Sequence, residues 1–341
     1  MKSRLTKKQL DYILLDLWQN SVFDDECFTL LEQYIKTRTN SSAETIDDAL
    51  LDNIYRALAT VRNRTLITSE GQDKLKNTVV GFFGMSVGSH AALTWMMESR
   101  ADVIKIIDPD IITPTNLNRL RWGWDSIGKN KVDVVRQALL EVDPFVSVVT
   151  MKSKAQKDMK EILESHPRLD VIVDEIDDIE GKIALRSFAK ENKIPLLSAA
   201  DVGDNVILDI ERYDSEPQTQ PFLGRIPFID LDKFFHLSDL ERRNYIIKLV
   251  GFENNSEEML DSLLAIGKSL STWPQLGATA TITGGVIATT IKKISLGEKV
   301  ASGRYYLSLD DLLVKDFTSE LRKEDRRQKI EKIKQKFNIT E

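Results

Sequence analysis

The sequence predicts an α/β protein whose central sheet is mostly parallel and carries helices on both faces. Apolar strand-like segments alternate with helix-like segments between residues 76 and 213. A glycine-containing turn, residues 84–89, follows the first of these strands, and residues 1–60 show helical periodicity. Strands that alternate with helices join into βαβ units and build a parallel sheet. We therefore expect a Rossmann-like sheet preceded by a helical N-terminal extension.

The extension, residues 1–60, is predicted to be helical because its apolar residues recur at the spacing of one helix face. They are Leu10, Ile13, Leu14, Leu17 and Trp18, followed by Phe28, Leu31 and Ile35. Cys27, the single cysteine of the chain, lies on the second of these predicted helices. We expect it to pack within the extension rather than to act as a nucleophile.

Residues 61–213 are predicted to form the sheet domain. The predicted strands are residues 78–83, 103–107, 146–150, 171–173, 195–197 and 206–210. The predicted helices between them include residues 87–97, 132–140, 155–163 and 183–190. In open sheets of this kind, ligands bind beyond the carboxyl ends of the strands.

Residues 214–313 are predicted to complete the same domain, with a helix at 239–249 and a last strand at 305–309. Residues 277–288 consist mainly of Gly, Ala and Thr, a run too short to span a membrane. We expect a buried helix that packs closely against its neighbours. Residues 314–341 form a charged tail in which acidic and basic residues are interleaved. This pattern favours a solvated helix over an arm that binds nucleic acid.

The composition limits the function classes. The chain has 341 residues and a net charge of −6, so no general attraction to nucleic acid or an anionic membrane is expected. Asp11 and Asp16 interrupt the apolar residues near the N-terminus, which argues against a secretion signal. One cysteine excludes an internal disulfide and a four-cysteine zinc site. We expect a cytoplasmic protein without a membrane span.

The turn after the first predicted strand is a degenerate form of the pattern G-x-G-x-x-G. Gly84 occupies a glycine position, Ser86 and Ser89 replace the other two, and Gly88 stands one place early. Small residues at such a turn let backbone N–H groups and the following helix N-terminus approach a phosphate. A glycine turn before any buried helix has a similar sequence, so phosphate binding and plain packing both remain open.

A carboxylate follows the second predicted strand, in Asp108-Pro109-Asp110. At this tip, a carboxylate accepts hydrogen bonds from ribose hydroxyls in nucleotide-binding sheets. The alternative is that Asp108 caps the turn before Pro109. The glycine turn lies at the matching distance along the chain, which favours the nucleotide interpretation.

Charges near the same sheet edge favour a triphosphate over a nicotinamide dinucleotide. Arg119 and Lys131 lie beyond the acidic tip, and cations there neutralise charge on a leaving pyrophosphate. The fourth predicted strand ends in the acidic run 174–178, and carboxylates facing phosphates are explained by a bound Mg²⁺. A solvated acidic loop is the alternative, and it fits less well opposite two cations.

Together these segments resemble the ThiF/MoeB/ubiquitin-activating-enzyme family. The family motifs D-x-D, N-L-x-R, G-x-x-K and D-N are similar to residues 108–110, 116–119, 128–131 and 177–178. Upstream, its R-x-R and G-Q-x-x-L are similar to residues 62–64 and 71–75. Each motif is short, but the combination runs almost without gaps from residue 62 to about residue 213, nearly half of the chain.

The resemblance implies ATP-Mg-dependent adenylation, in which a substrate carboxylate attacks the α-phosphate and gives an acyl adenylate and pyrophosphate. The implied nucleotide contacts are Gly84, Ser86, Gly88, Ser89, Asp108, Asp110, Asn116, Arg119 and Lys131. Asp108 would hold the ribose, and Asn116, Arg119 and Lys131 would bind the phosphates. The implied catalytic set is Arg64, Arg119, Lys131 and Asp177. Asp177 would bind Mg²⁺, with Asp174 as a second candidate ligand. Arg64 would reach into the site of a second copy, which implies a homodimer.

The substrate stays open at this point. The resemblance allows the C-terminus of a ubiquitin-like or sulfur-carrier protein, a peptide or a small acid. A carboxylate on a modified tRNA and a non-catalytic nucleotide-binding scaffold are alternatives. The sequence departs from the family in its cysteines, since it lacks the two C-x-x-C zinc pairs and no cysteine follows Cys27. We therefore expect a divergent member with no zinc and no protein thioester.

Overall fold

The computed structural model describes residues 6–40, 46–153, 156–227, 234, 236–252, 255–337 and 339. The predicted helical extension is confirmed, and Thr6 and Asp47 cap its first and last helices through their side chains. Its helices are α1 (Lys7–Asn20), α2 (Asp25–Asn40) and α3 (Asp48–Thr60). They enclose a small core of Leu17, Cys27, Leu30, Ile54 and Ala57. Cys27 packs there, as predicted.

The central sheet has seven strands in the order β3-β2-β1-β4-β5-β6-β7. The strands are β1 (Val80–Phe83), β2 (Val103–Ile107), β3 (Ser147–Met151), β4 (Val171–Asp174), β5 (Leu196–Val202), β6 (Asn205–Glu211) and β7 (Gly303–Leu307). β1 to β5 pair in parallel, whereas β6 and β7 add antiparallel strands at one edge. The predicted fold class, mostly parallel and Rossmann-like, is confirmed.

Adjacent side chains of a strand point to opposite faces of the sheet, so a strand of apolar residues has two faces to bury. Helices cover both faces here. Phe82 of β1 joins a core with helices on one face, and Phe83 joins a core with helices on the other. The helices of the sheet domain are α4 (Ser69–Asn77), α5 (Val87–Ser99), α6 (Lys131–Val142), α7 (Gln156–Glu164) and α8 (Ile179–Asn192). Residue 155, where the third sheet-domain helix was predicted to begin, lies outside the described residues.

The small-residue helix is α11 (Gly277–Ser295), and it packs against α5 of the same chain. A Cβ added at Gly284 would stand 2.5 Å from the His90 Cβ, and one at Gly277 would stand 2.7 Å from the Asn118 carbonyl oxygen. These glycines let α11 approach closely, which confirms the predicted buried helix. The close packing serves this chain's own core.

The remaining helices follow the sheet domain. They are α9 (Asp239–Val250), α10 (Glu257–Ala265), α12 (Leu309–Leu313) and α13 (Glu320–Phe337). α13 belongs to the charged tail, and its Ile333 is buried against Leu260 and Leu263 of α10. The outer face of the tail is exposed, as expected, but the sequence did not predict that the inner face docks. Within the described residues, we find no helix with the length and apolar character needed to cross a bilayer.

Candidate nucleotide-binding site

The turn after β1 requires glycine at its first position. Gly84 has φ of +95°, and a Cβ there would stand 2.2 Å from the Glu175 carbonyl oxygen. α5 follows directly, and its N-cap residue Ser86 makes no side-chain hydrogen bond to the helix end. No side-chain cap therefore competes with an anion at the N-terminus of α5.

The other two residues predicted in this turn differ in their surroundings. An added Cβ at Gly88 would meet nothing closer than 3.5 Å, so glycine is not needed there for space. Ser89 is buried, and its hydroxyl donates to the Ser86 carbonyl oxygen at 2.7 Å. Ser89 thus stabilises the first turn of α5, whereas Ser86 lines the cleft beside it.

Asp108 connects the turn after β1 to the loop after β2. The residue is 4% exposed, and its two side-chain oxygens accept hydrogen bonds from the Met85 and Asp110 backbone N–H groups at 2.6 and 2.7 Å. Burial raises the pKa of Asp108, and the Lys131 ammonium partly offsets that rise. Because a carboxylate has about four lone-pair sites, both oxygens retain capacity for a ribose hydroxyl.

Lys131, the first residue of α6, lies across the same loop. Its Nζ is 3.0 Å from Asp110 Oδ2 and 3.6 Å from Asp108 Oδ2. The loop is folded back on itself, since the Lys131 N–H donates to the Asp110 carbonyl and Ile111 forms a β-bridge with Asn130. This fold brings the predicted D-x-D and G-x-x-K segments side by side.

Arg119 is half-buried and is held by several contacts. Its Nε donates to Ser86 Oγ at 3.3 Å, and its Nη1 donates to the Thr115 carbonyl and Asn118 Oδ1, both at 3.0 Å. Burial lowers the pKa of Arg119, and the carboxylates of Asp177 and Asp201 oppose that change. The Arg119 charge therefore interacts electrostatically with two acidic side chains.

Two neighbouring residues support the loop that carries Arg119. His90 Nε2 lies 2.6 Å from the Arg119 carbonyl oxygen, a contact in which the ring nitrogen is the donor. Asn116 turns its side-chain oxygen toward Thr113, whose backbone N–H donates to it at 2.9 Å. Asn116 thus closes the short turn before Arg119, while its predicted phosphate contact remains untested.

The carboxylates after β4 have separate environments. Asp174 is fully buried, and its oxygens pair with Lys182 at 3.1 Å and with Arg186 at 2.6 Å. Asp178 caps α8 by accepting the Gly181 N–H at 2.8 Å. Asp177 between them is exposed and lines the cleft. Asp178 also lines the cleft, but Asp177 is the one of the three that is exposed there.

A cleft with a volume of about 260 Å³ gathers most of the predicted nucleotide contacts at the carboxyl ends of β1, β2 and β4. Its wall includes Gly84, Ser86, Asp108, Asp110, Lys131 and Asp177. Arg119 adjoins this wall through Ser86. This arrangement fits a nucleoside triphosphate with a divalent cation, because it combines an acidic wall, two cations and the uncapped N-terminus of α5.

Arg64 lies elsewhere in the same chain. It pairs with Asp24 at 2.8 Å and with Glu26 at the start of α2, and it lines a second cavity of about 270 Å³. That cavity lies between the extension and the ends of α4 and α5. The structure does not bring Arg64 into its own chain's cleft, and its predicted role in a second copy stays a prediction.

Two further acids lie near the cleft: Glu175, part of the predicted acidic run 174–178, and Asp201, which was not predicted from the sequence. Glu175 lines the cleft and accepts the Ala199 N–H at 2.8 Å, and burial raises the pKa of this carboxyl well above its usual range. Asp201 is the penultimate residue of β5 and accepts the Thr283 hydroxyl at 2.6 Å. The predicted strand stopped at residue 197, because the small residues 198–200 gave no apolar signal.

Within the part of the chain that the structure describes, no group of three or more His, Cys, Asp or Glu side chains is arranged to hold a metal. Mg²⁺ beside a nucleotide usually takes one or two carboxylates, several waters and phosphate oxygens. A single exposed carboxylate such as Asp177 is compatible with that chemistry.

An open α/β sheet with a glycine turn, an acidic strand tip and a cleft at its carboxyl edge is the doubly wound architecture, in which ligands bind beyond the strand ends. The chain belongs to the ThiF family, whose model matches residues 60–331. The predicted resemblance is thereby confirmed.

The chain is similar to several named relatives. It is 32% identical to the Mycobacterium tuberculosis protein MT1398 over 251 residues, which cover 73% of this chain and 34% of that one. It is 29% identical to the tRNA threonylcarbamoyladenosine dehydratase of Bacillus subtilis, over 46% of this chain and 64% of that one. It is 25% identical to the molybdopterin-synthase adenylyltransferase of Haemophilus influenzae, over 59% and 81%. The alignments thus span about a third of the first relative and under two thirds of the second.

Solved structures share the fold. The crystal structure of PaaA has a TM-score of 0.52 at 18% identity and covers 91% of this chain and 95% of its own. Escherichia coli MccB, in a structure with AMPCPP and MccA, has a TM-score of 0.51 at 18% identity over 87% and 85%. At this identity the likeness concerns the fold alone.

Proposed function

We propose that this protein is an ATP-Mg-dependent adenylyltransferase that activates a carboxylate as an acyl adenylate and releases pyrophosphate. The observation that carries the proposal is the placement of Lys131, Arg119 and Asp177 around one cleft at the strand ends. Family membership supports it, as does the relative in H. influenzae that is named an adenylyltransferase.

The proposed nucleotide contacts follow the cleft. Asp108 accepts the ribose hydroxyls, and Asp110 holds Lys131 at the loop edge. The phosphates lie against the turn from Gly84 to Ser89 and the N-terminus of α5. Lys131, Arg119 and Asn116 bind them from the opposite side, where cations favour a leaving pyrophosphate.

Asp177 is the proposed Mg²⁺ ligand. It is exposed at the cleft, whereas Asp174 is committed to Lys182 and Arg186 and serves the proposed site by fixing the end of β4. When bound, Mg²⁺ supplies charge neutralisation between the phosphate oxygens and the acidic edge.

The chemical step needs little from protein acids or bases. One oxygen of the ionised substrate carboxylate bonds to the α-phosphorus, and the bond from that phosphorus to the bridging oxygen of pyrophosphate breaks. No proton is transferred in this step, so positioning and charge stabilisation supply the catalysis. Arg119 and Lys131 supply the charge.

The proposed substrate is a carboxylate on a small carrier protein, a peptide or a small acid, and the proposed assembly is a homodimer to which Arg64 contributes. The proposal places the enzyme in the cytoplasm. A thioester on this chain is not part of it, because Cys27 is buried in the extension core and burial raises the pKa of its thiol to about 12.

ATP–pyrophosphate exchange across carboxylate classes tests the proposal. We expect Mg²⁺-dependent exchange with one class, slowed by about 10²-fold in Arg119→Ala and in Lys131→Ala. ATP binding without exchange would favour a non-catalytic scaffold, and exchange that requires tRNA would favour the tRNA alternative. Tight NAD binding without ATP binding in calorimetry would contradict the proposed nucleotide.

A further inference from the structure

His90 is a buried histidine in the first turn of α5, beside the helix N-terminus at the cleft. The residue is 1% exposed, and its Nε2 lies 2.6 Å from the Arg119 carbonyl oxygen. The other ring nitrogen, Nδ1, lies 3.4 Å from Thr281 Oγ. Burial lowers the pKa of His90 and outweighs the hydrogen bond to Arg119, which raises it, so the ring is neutral at neutral pH. Because a carbonyl oxygen can only accept, the single ring proton lies on Nε2 and is donated to Arg119.

The start of α5 contacts Arg119 at two points. The hydroxyl of Ser86, the N-cap residue, accepts the Arg119 Nε–H at 3.3 Å. His90, four residues further on, donates to the Arg119 backbone, so the guanidinium and the backbone are both fixed to one face of the helix start. Among the described residues, the other hydrogen bonds of the guanidinium use Nη1, so Nη2 remains for a ligand.

Arg119 depends on such contacts because it lies in an irregular segment. Residues 117–119 form a turn that belongs to none of the strands or helices. The backbone of a loop is fixed by its few hydrogen bonds to neighbouring elements. One such bond runs from Asn118 Nδ2 to the Gln275 carbonyl oxygen at 2.7 Å, and the bond made by His90 holds Arg119 itself.

Helix α11 packs directly against His90. A Cβ added at Gly284 would stand 2.5 Å from the His90 Cβ and 2.9 Å from the Ala91 backbone nitrogen. These distances are too short for two non-bonded atoms, so glycine is required there for the close approach of the two helices. A Cβ added at the neighbouring Gly285 would meet nothing within 4 Å. Gly284 therefore sets how closely α11 approaches His90.

We propose that His90 is a positioning residue: by donating from Nε2 to the Arg119 carbonyl oxygen, it keeps the Arg119 guanidinium beside the N-terminus of α5, where the phosphates are proposed to lie. The inference rests on the proposed function, because it takes Arg119 as a phosphate ligand. His90 acts through Arg119 and does not contact the nucleotide. Gly284 of α11 allows the packing that holds the ring in place.

Two substitutions of His90 differ in whether the hydrogen bond survives. The amide nitrogen of glutamine lies about as far from the backbone as Nε2, so His90→Gln keeps a donor for the Arg119 carbonyl oxygen. The amide of asparagine reaches only to the position of Nδ1, so His90→Asn loses this donor while it keeps a polar side chain. Both variants remove the aromatic ring, and the difference between them therefore reports the contact with Arg119.

ATP–pyrophosphate exchange measures the effect of this contact. We expect His90→Asn to slow exchange by about tenfold or more, the scale for a displaced catalytic group, and His90→Gln to retain most of the wild-type rate. In an Arg119→Ala background, His90→Asn should slow exchange no further, because no guanidinium is left to position. A wild-type rate in His90→Asn, equal losses in His90→Asn and His90→Gln, or an equal loss with and without Arg119→Ala would overturn the positioning role.

The two glycines of α11 form a matched pair that leaves His90 itself unchanged. Gly284→Ala should slow exchange because the added methyl group displaces His90, whereas Gly285→Ala should keep the wild-type rate. Both changes replace glycine by alanine in the interior of one helix, which by itself favours the helix. A folded Gly284→Ala variant with the wild-type rate would refute the dependence on this packing, and if the variant does not fold, the two His90 variants decide.

A measurement without ligand separates this inference from the proposed function. The chain has three histidines, so the ring ¹⁵N signals of histidine-labelled protein are assigned with His90→Gln. We expect the proton of the neutral His90 ring on Nε2. The Arg119 Nε–H signal, assigned with Arg119→Lys, should shift more in His90→Asn than in His90→Gln. If both results hold while the wild type shows no exchange with any carboxylate, the proposed function fails although His90 holds Arg119. A ring proton on Nδ1 would refute the contact itself, whatever the activity.

Discussion

The carboxylate of Asp108 at the end of β2 accepts the backbone N–H of Met85, in the turn after β1, at 2.6 Å. The turn proposed to hold phosphate and the carboxylate proposed to hold ribose are thus one hydrogen-bonded unit. Asp108 has a structural role and a proposed binding role, so a substitution at this position should affect both the stability of the fold and the affinity for ATP.

Asp108→Ala should weaken ATP-Mg binding by more than tenfold and lower the free energy of unfolding. The loss of stability should be about 1–3 kcal/mol, because two backbone N–H groups near the cleft lose their acceptor. Calorimetry with ATP and urea unfolding measure the two effects. Asp125→Ala, at an exposed position of the following loop, is the control and should change neither. Full ATP affinity in Asp108→Ala would remove Asp108 from the binding site.

Asp177 and Asp178 are adjacent carboxylates for which we expect opposite outcomes. Asp177→Ala should abolish Mg²⁺-dependent exchange, because the exposed carboxylate at the cleft is lost. Asp178→Ala should leave exchange nearly unchanged and destabilise the fold by about 1 kcal/mol, since it removes the side-chain cap of α8. ATP–pyrophosphate exchange rates over a Mg²⁺ titration, together with urea unfolding, measure the two effects in each variant. The reverse pattern would move the metal role to Asp178.

The charge network behind β4 predicts an acid-sensitive fold. Burial raises the pKa of Asp174, but the charges of Lys182 and Arg186 outweigh burial and hold that pKa below its ordinary value. A carboxyl with a depressed pKa contributes stability above its unfolded pKa, and this contribution is lost as the pH falls through the folded pKa. Stability measured by urea unfolding should therefore decline below about pH 4.

Asp174→Asn tests the origin of that decline. It should cost about 3–5 kcal/mol at neutral pH, since Lys182 and Arg186 lose a buried partner. Its unfolding free energy should then depend less on pH below about pH 4 than that of the wild type. A variant with the same acid-side slope as the wild type would show that other carboxyl groups cause the decline.

The fold could be predicted from the sequence because buried parallel strands appear as short apolar runs with helices between them. The cleft could be predicted because its residues follow consecutive strands and so meet at one edge. Residue 201 escaped notice because the small residues before it concealed the second half of β5. The pairing of Arg64 with Asp24, 40 positions apart, depends on how the extension docks, and no local pattern specifies it.

Cys27 should be dispensable for the proposed chemistry. It lies in the core of the extension, and burial, reinforced by the nearby Asp24 carboxylate, raises the pKa of its thiol to about 12, so little thiolate exists at neutral pH. Cys27→Ala should keep exchange at the wild-type rate with a small loss of thermal stability. Mass spectrometry should find no reductant-sensitive conjugate with substrate. A substrate thioester on Cys27 would show that the extension opens during the reaction.

Assembly provides the last prediction. Arg64 is held by Asp24 and Glu26 of its own extension and does not reach its own cleft. If Arg64 completes the cleft of a second copy, the active unit is a two-fold dimer with an isologous interface. Arg64→Ala and Asp177→Ala should then be inactive alone and recover activity when mixed, because one cleft of the mixed dimer has both residues intact.

At equal mixing with random subunit exchange, half of the dimers are mixed and each has one intact cleft, so about a quarter of wild-type activity should return. Subunit exchange is verified separately with differently labelled chains. Arg62→Ala, a substitution of a neighbouring arginine, is the control for Arg64→Ala. Subunit exchange without recovered activity, or an active enzyme that sediments as a monomer, would show that Arg64 pairs only with its own extension and does not complete a second cleft.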